Sequence, residues 1–383
     1  MNQARPIRIM QVIARMNVGG PAVIVAELMR GLDSATFQSV LVTGFCADDE
    51  VDYLDEVVTD ISVIRILGLG RSVSVLGDIK SFFALLRMIR QFQPDIIHTH
   101  TAKAGVLGRV AGLLAYPKAK RIHTFHGHLL HGYFSPLTTK LVVLIERSLA
   151  SISSALIAVG NQVKNDLLEA RIGNPKQYMV IFPGLDELEI QSKASARSEL
   201  GLEADKTYMV FVGRLTQIKR PDRLIEIAHH LKENYPNIEL LIAGAGEKFS
   251  EILEVTNRES LPMVFLGWRN DIGRILSASD IAILCSDNEG IPLTLIQASQ
   301  AGLPIISTNV GSVSDIVASG ETGILTEVNS NSLINAIESM LSDPEKMLRY
   351  GQAGKKRAKE LFSLQSMITV HENLYSQETT RLN

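Results

Sequence analysis

Short apolar runs recur throughout this chain, separated by longer amphipathic stretches, and that rhythm limits the fold more than any other feature. Strands buried on both faces read as near-continuous apolar runs, and pairing them in parallel needs a long crossover, usually a helix. In the first half such runs fall near residues 7–14, 39–43, 63–66, 96–99, 121–125, 156–159 and 179–182. In the second half they fall near 208–212, 239–243, 264–266, 281–284, 305–307 and 324–326. Thirteen strands exceed one comfortable sheet. The polar segment 184–206 interrupts the rhythm and reads as a linker. The expectation is an α/β chain of two Rossmann-like parallel-sheet domains facing across a cleft, residues 1–185 and 186–361.

Composition narrows the setting. Cys46 and Cys285 are the only cysteines, too few for a disulfide framework or a cysteine zinc site. No apolar run approaches the ~20 residues of a membrane span. The opening MNQARPIRIM lacks the layout of a signal peptide. A cytoplasmic protein is expected, either soluble or peripheral on the inner face of the cell membrane. The formal net charge of −3 speaks against a nucleic-acid partner. That total hides an asymmetry. Residues 1–185 carry 19 basic and 14 acidic side chains, a net of +5, and the remainder nets −8. Residues 61–147 hold 12 bases against Asp78, Asp95 and Glu146. Such a field attracts anions, including nucleotide sugars and anionic lipid. A solvated face of mixed sign is the alternative.

In open parallel sheets, ligands bind beyond the C-terminal strand ends. Five loops fall there. RMNVGGPA (15–22) offers Gly19 and Gly20 for close backbone approach and helix-start amides for a phosphate; otherwise it is a plain tight turn. It matches neither a dinucleotide fingerprint nor a Walker loop. Six of nine histidines lie between 98 and 131. They raise a metal reading, but no cysteine joins them and they span several elements. His126 directly follows the strand RIHTF, whereas His123 inside it reads as a core histidine. Gly213 and Arg214, followed by Lys219, place a planar fork and a point charge where a diphosphate would bind. Gly246, in the loop GAGE, would let the chain pass a base or ribose, or simply turn. The stretch SDNEGIPLTLIQ presents Glu289 in a loop, with Gly290, Ile291, Pro292 and Leu293 entering a helix and Gln297 further along it.

These motifs, in this order, resemble the retaining, nucleotide-sugar-dependent glycosyltransferases of family 4, which have the two-Rossmann GT-B fold. The resemblance covers nearly the whole chain, from NVGGPA through HTFHGH, GRLTQIKRPD, AGAGE and SDNEGIPLTLIQ to ETGIL. It implies that His126 lies near the reacting sugar and that Arg214 and Lys219 hold the donor diphosphate. It implies that Glu289 holds the sugar hydroxyls, as the first acid of the family's paired-glutamate signature. The second acid, which binds the ribose, is here Gln297. An amide oxygen accepts hydrogen bonds without full charge, so weaker ribose anchoring is expected. Arg269 and Gly246 fall near the expected base site. Lys103 and His128 fall in the acceptor-side loops. Residues 362–383 look like the family's last helix, which crosses back to the N-terminal domain.

The implied reaction moves a hexose-type sugar from a UDP-, GDP- or similar donor to an acceptor hydroxyl, with retention and no cofactor. No metal is expected, because Arg214 and Lys219 would supply the charge. The acceptor is expected to be lipid-linked or a polysaccharide in cell-envelope glycan synthesis. The apolar segment from His128 onward suits a lipid-linked acceptor or a buried core helix. Transfer to a small soluble acceptor and non-catalytic sugar-nucleotide binding are the alternatives.

Overall fold

The computed structural model describes residues 5–48, 50–56, 61–72, 74–127 and 135–380. Among the described residues thirteen strands form, each overlapping a run read from the sequence. The first seven are β1 (Ile7–Ile13), β2 (Phe37–Thr43), β3 (Val63–Arg65), β4 (Ile96–His100), β5 (Lys120–Phe125), β6 (Ala155–Ala158) and β7 (Tyr178–Val180). They make one parallel sheet in the order β3-β2-β1-β4-β5-β6-β7. The next six are β8 (Thr207–Val212), β9 (Ile238–Ala243), β10 (Met263–Gly267), β11 (Ile281–Leu284), β12 (Ile305–Thr308) and β13 (Gly323–Thr326). They make a second parallel sheet in the order β10-β9-β8-β11-β12-β13. Both sheets reverse direction of growth beside their first strand, between β1 and β4 and between β8 and β11. This is the Rossmann-like arrangement.

The chain divides into two compact units. Unit 1 is Met1–Leu185 with Leu364–Asn383, and unit 2 is Asp186–Ser363. In unit 1 the period-2 alternation of β1 sorts its side chains. Met10 and Val12 join Val40, Val42 and Ile97 beneath Leu85 and Ile89 of the helix Val75–Phe92. Ile13 and Leu41 pack with Val25 and Met29 of the helix Gly20–Gly31. Each fully buried Leu or Ile contributes ~1.5–3 kcal/mol relative to exposure. The helix Leu364–Thr380 belongs to unit 1, where Ile368 fills the space above Gly31.

The polar segment 184–206 is not simply a linker. It contains the helix Lys193–Glu199, which is part of unit 2. Its anchor is Arg197, buried over the Tyr208 ring. The guanidinium donates to the carbonyls of Ala278 and Ala204 and to Asp280, at 3.0, 2.5 and 2.7 Å. Those distant partners explain why a polar sequence is held in place.

Candidate active site

The reversal points of both sheets carry the residues singled out above. In unit 2 the loops after β8 and β11 meet because those strands are neighbours. Lys219, from the first loop, reaches Glu289, from the second: Nζ lies 2.5 Å from Oε1. Ser286 donates to the same oxygen at 2.6 Å. No residue is described against Glu289 Oε2, and the Lys219 ammonium retains further donors. The carboxylate is thus held at one oxygen, and the other has no hydrogen-bond partner among the described residues. Gly311, at φ +52°, lets the chain pass Glu289: a Cβ there would fall 1.8 Å from the Glu289 carbonyl oxygen. Arg214 is exposed, and its guanidinium has no partner among the described residues.

The helix Leu293–Gln300 follows, with Pro292 at its N-cap, no side-chain cap and no acid in its first turn. Gly290 and Ile291 lead into it, and the Gly290 carbonyl accepts from Ser312 N at 2.9 Å. Its positive end, with unsatisfied amides, favours an anion. Gln297 lies on this helix, half-buried. Its side-chain amide has no partner among the described residues.

The glycines after β9 lie against the loop after β8. Gly244 and Gly246 sit at φ +149° and +154°, and added Cβ atoms would lie 1.9 and 2.5 Å from the carbonyls of Gly213 and Leu215. They let two backbones touch, locking this loop to the one carrying Arg214 and Lys219. The Leu215 amide confirms the contact by donating to Ala245 O at 2.9 Å. Arg269 is clamped by Asp271 through two bonds, at 2.7 and 2.5 Å.

In unit 1, Gly19 is extended, and a Cβ there would meet nothing closer than Asn17 O at 3.8 Å. The fold itself therefore does not require glycine at that point. Gly20 opens the helix Gly20–Gly31, which again has no side-chain cap and no acid in its first turn. Across the reversal point Thr101 adopts φ +64°, ψ +156°. That region is essentially reserved for glycine, and strain of ~1–3 kcal/mol at such a residue concentrates at functional sites. Thr101 Oγ1 accepts from Ala14 N at 3.3 Å, tying the loops after β1 and β4 together. Lys103, expected on the acceptor side, holds a neighbouring loop. Its ammonium donates to Gly68 O and Ser72 O at 2.9 and 2.7 Å and pairs with Asp78. His128 lies outside the described residues.

The histidines separate into distinct roles. His123 is a buried core residue whose Nδ1 lies 2.8 Å from Thr99 Oγ1. His98 and His100 stack on one face of β4 with ring centroids 4.2 Å apart. His126, just beyond β5, places Nε2 2.9 Å from His100 Nδ1. Its Nδ1 is buried and has no partner among the described residues. Burial, and secondarily His371, pushes the His126 imidazole down to about 3, so it is neutral at physiological pH. Among the described residues no three His, Cys, Asp or Glu gather as metal ligands. Three contributors escaped the sequence reading: Ser286, Gln11 and Tyr375. Gln11 left a trace, as a polar residue inside the apolar strand IRIMQVI.

Residues 18–187 match the model of Glycosyltransferase Family 4, and residues 192–357 match that of Glycosyl transferases group 1. A UDP-Gal:alpha-D-GlcNAc-diphosphoundecaprenol alpha-1,3-galactosyltransferase of Escherichia coli is 33% identical over 307 residues, 76% of this chain and 77% of that protein. The capsular polysaccharide biosynthesis glycosyltransferase CapM of Staphylococcus aureus is 22% identical over 83% of this chain and 86% of its own length. Among solved structures, Anabaena HepE in complex with UDP and glucose superposes with a TM-score of 0.80 at 21% identity, covering 97% of this chain and all of that one. On these matches, the chain belongs to glycosyltransferase family 4 and is a glycosyltransferase of GT-B type.

Proposed function

We propose that the enzyme transfers a hexose-type sugar from a nucleoside diphosphate to a lipid-linked or polysaccharide acceptor in envelope glycan synthesis, with retention. The observation that carries this is the Lys219–Glu289–Ser286 cluster beside an uncapped helix start. Glu289 Oε2 accepts a sugar hydroxyl. Lys219, Arg214 and the helix amides balance the charge that grows on the departing diphosphate. Each preorganised donor of this kind is worth ~10²–10³ in rate. Gln297 and Arg269 are assigned to the nucleoside, Gly19 and Gly20 to the diphosphate, and His126 to a substrate hydroxyl. No protein-bound metal is required, because the cations are side chains. HepE, solved with UDP and with UDP-glucose, supports a UDP-sugar as donor. A nucleotide-release screen across UDP-, GDP- and ADP-sugars tests the reading. Release only with a pyrimidine donor is expected, and no release with any of them refutes it.

The Escherichia coli relative, whose name specifies a diphosphoundecaprenol acceptor, supports a lipid-linked acceptor here. Unit 1 adds a physical reason. No described helix is long and apolar enough to cross a membrane. The helix Pro136–Ser151 nevertheless buries only Glu146, Leu149 and Ala150. Leu137, Leu141, Leu144 and Ile145 form an exposed stripe, with Leu137 80% exposed, alongside Lys140 and Arg147. The helix Val75–Phe92 exposes Val75, Leu76, Ile79 and Phe83 beside Lys80 and Arg87. Apolar stripes edged by bases suit the surface of an anionic bilayer. Cosedimentation with anionic vesicles at low salt, weakened at high salt, is expected. Lack of sedimentation at low salt would remove the membrane part of this reading.

A further inference from the structure

A single file of hydrogen bonds runs through unit 1 from the last helix to His126. Tyr375 projects from that helix onto the face of β1 that carries Gln11. Gln11 Nε2 donates to the Tyr375 hydroxyl at 3.0 Å. Gln11 Oε1 lies 2.8 Å from His100 Nε2. His100 Nδ1 lies 2.9 Å from His126 Nε2. On a side branch, the Tyr375 hydroxyl lies 2.7 Å from His98 Nδ1, and His98 Nε2 lies 2.7 Å from Thr124 Oγ1.

With the Gln11 amide turned as it is in the structure, Nε2 toward Tyr375 and Oε1 toward His100, donor and acceptor counting sets every proton in this file. An amide oxygen has none to give, so His100 Nε2 carries a proton and donates to Gln11. Burial, with His98, His126 and His371 adding to it, lowers the His100 imidazole well below its ordinary range, so it is neutral. Its Nδ1 is then a bare acceptor. The proton in the link to His126 must therefore sit on His126 Nε2. His126 is neutral as well, which leaves a lone pair on Nδ1. That is the buried ring nitrogen with no partner among the described residues. The Tyr375 hydroxyl accepts from Gln11 and donates to His98, and His98 donates to Thr124. Only Gln11 has a fixed polarity. Turning its amide over would reverse every link and leave His126 a donor.

We infer that Gln11 and Tyr375 are positioning residues that hold His126 as the Nε2–H tautomer, so that its Nδ1 accepts a hydrogen bond from a substrate hydroxyl. This rests on the reading of His126 as a substrate-contacting residue. The network separates an acceptor from a donor at the point of contact. A hydroxyl that must donate there is recognised, and an ether or carbonyl oxygen at the same place is refused.

The tautomer is measurable without substrate. Long-range ¹H–¹⁵N correlation of the ¹⁵N-labelled full chain distinguishes a protonated ring nitrogen from a bare one. His126 should show a bare Nδ1 and a protonated Nε2. Tyr375→Phe removes one oxygen and keeps the ring that meets Phe37 edge-on at 6.1 Å. In that variant the Gln11 amide loses its hydroxyl partner and is freer to turn over. The two His126 nitrogens should then move toward each other, and kcat should fall about three- to tenfold, one hydrogen bond's worth. A protonated Nδ1 in the wild-type protein overturns the tautomer assignment whatever the activity. Unchanged His126 nitrogens and unchanged kcat in Tyr375→Phe overturn the positioning role. Full activity in His126→Ala, with the wild-type tautomer as assigned, overturns the substrate contact beneath it.

Discussion

Acidification is expected to unfold unit 1 ahead of unit 2. His98, His100, His123 and His371 are buried in unit 1. Desolvation lowers all four below the ordinary histidine range, His371 to about 4. A second cause acts on three of them: His371 on His98, His98 on His100 and Arg109 on His123. Unfolded imidazoles bind protons as pH falls through ~6.5, and the folded ones do not. Stability is therefore complete above that value and declines below it. The decline ends only where the folded groups titrate, near 4 for His371 and lower for His126 at about 3. Between pH 7.5 and 5 each buried imidazole forfeits ~2 kcal/mol, roughly 8 for the four. A domain has only ~5–15 kcal/mol in total. In unit 2, His229 and His230 are not buried. The sole tryptophan, Trp268, lies in unit 2 and reports on it alone. Guanidinium titrations at stepped pH, followed by far-ultraviolet circular dichroism and Trp268 fluorescence, separate the units. The transition seen by dichroism alone should move to lower denaturant by roughly 5 kcal/mol per pH unit below pH 6. A unit 1 transition that holds its position from pH 7.5 to 5 would refute the reasoning.

Three further outcomes are expected. Glu289→Ala and Lys219→Ala should each lower transfer ~10²–10³-fold, with thermal unfolding close to wild type; initial rates with the donor found by the nucleotide screen check this. Gln297→Glu restores a charged acceptor and should tighten UDP binding about fivefold, the difference between a neutral and a charge-assisted hydrogen bond; an unchanged or weaker dissociation constant by calorimetry counts against its place on the ribose. Glu146→Gln removes the charge opposite Arg109, whose side chain is fully buried 2.7 Å away. A guanidinium left unpaired in the core should cost ~3–5 kcal/mol in denaturant unfolding, and a loss under 1 kcal/mol would show that solvent reaches it.

What could be read from the sequence follows the range of the interactions involved. TYMVFV, IELLIA and IAIL are apolar because both faces of each strand are covered, and that requirement is written in the strand itself. Strand ends were less legible. The run at 179–182 became Tyr178–Val180, because pairing with β6 decides where the ladder stops. The helix Lys193–Glu199 was hidden because its anchor, Arg197, finds its acidic partner 83 residues away. The contacts of Lys103 are hidden for the same reason, its carbonyl partners being 35 and 31 residues distant. The glycines after β9 left two readings open because close approach to a ligand and close approach to another backbone demand the same residue.

The same contrast of range explains why the donor-side residues were legible and the network behind His126 was not. Glu289 and Lys219 lie 70 residues apart, yet each stands just past an apolar strand. Parallel order then forces them together, since β8 and β11 are adjacent and both loops leave the same sheet edge. Strand order acts as a long-range rule that a local pattern invokes. No such rule ties Tyr375 to His98, 277 residues earlier. Their meeting depends on the last helix lying against β1 and β4 and on two side-chain rotamers. Gln11 shows what a reader can still extract. An amide in an otherwise apolar strand must find partners or cost ~1–3 kcal/mol on burial. Its presence announces a buried polar network before any partner is known.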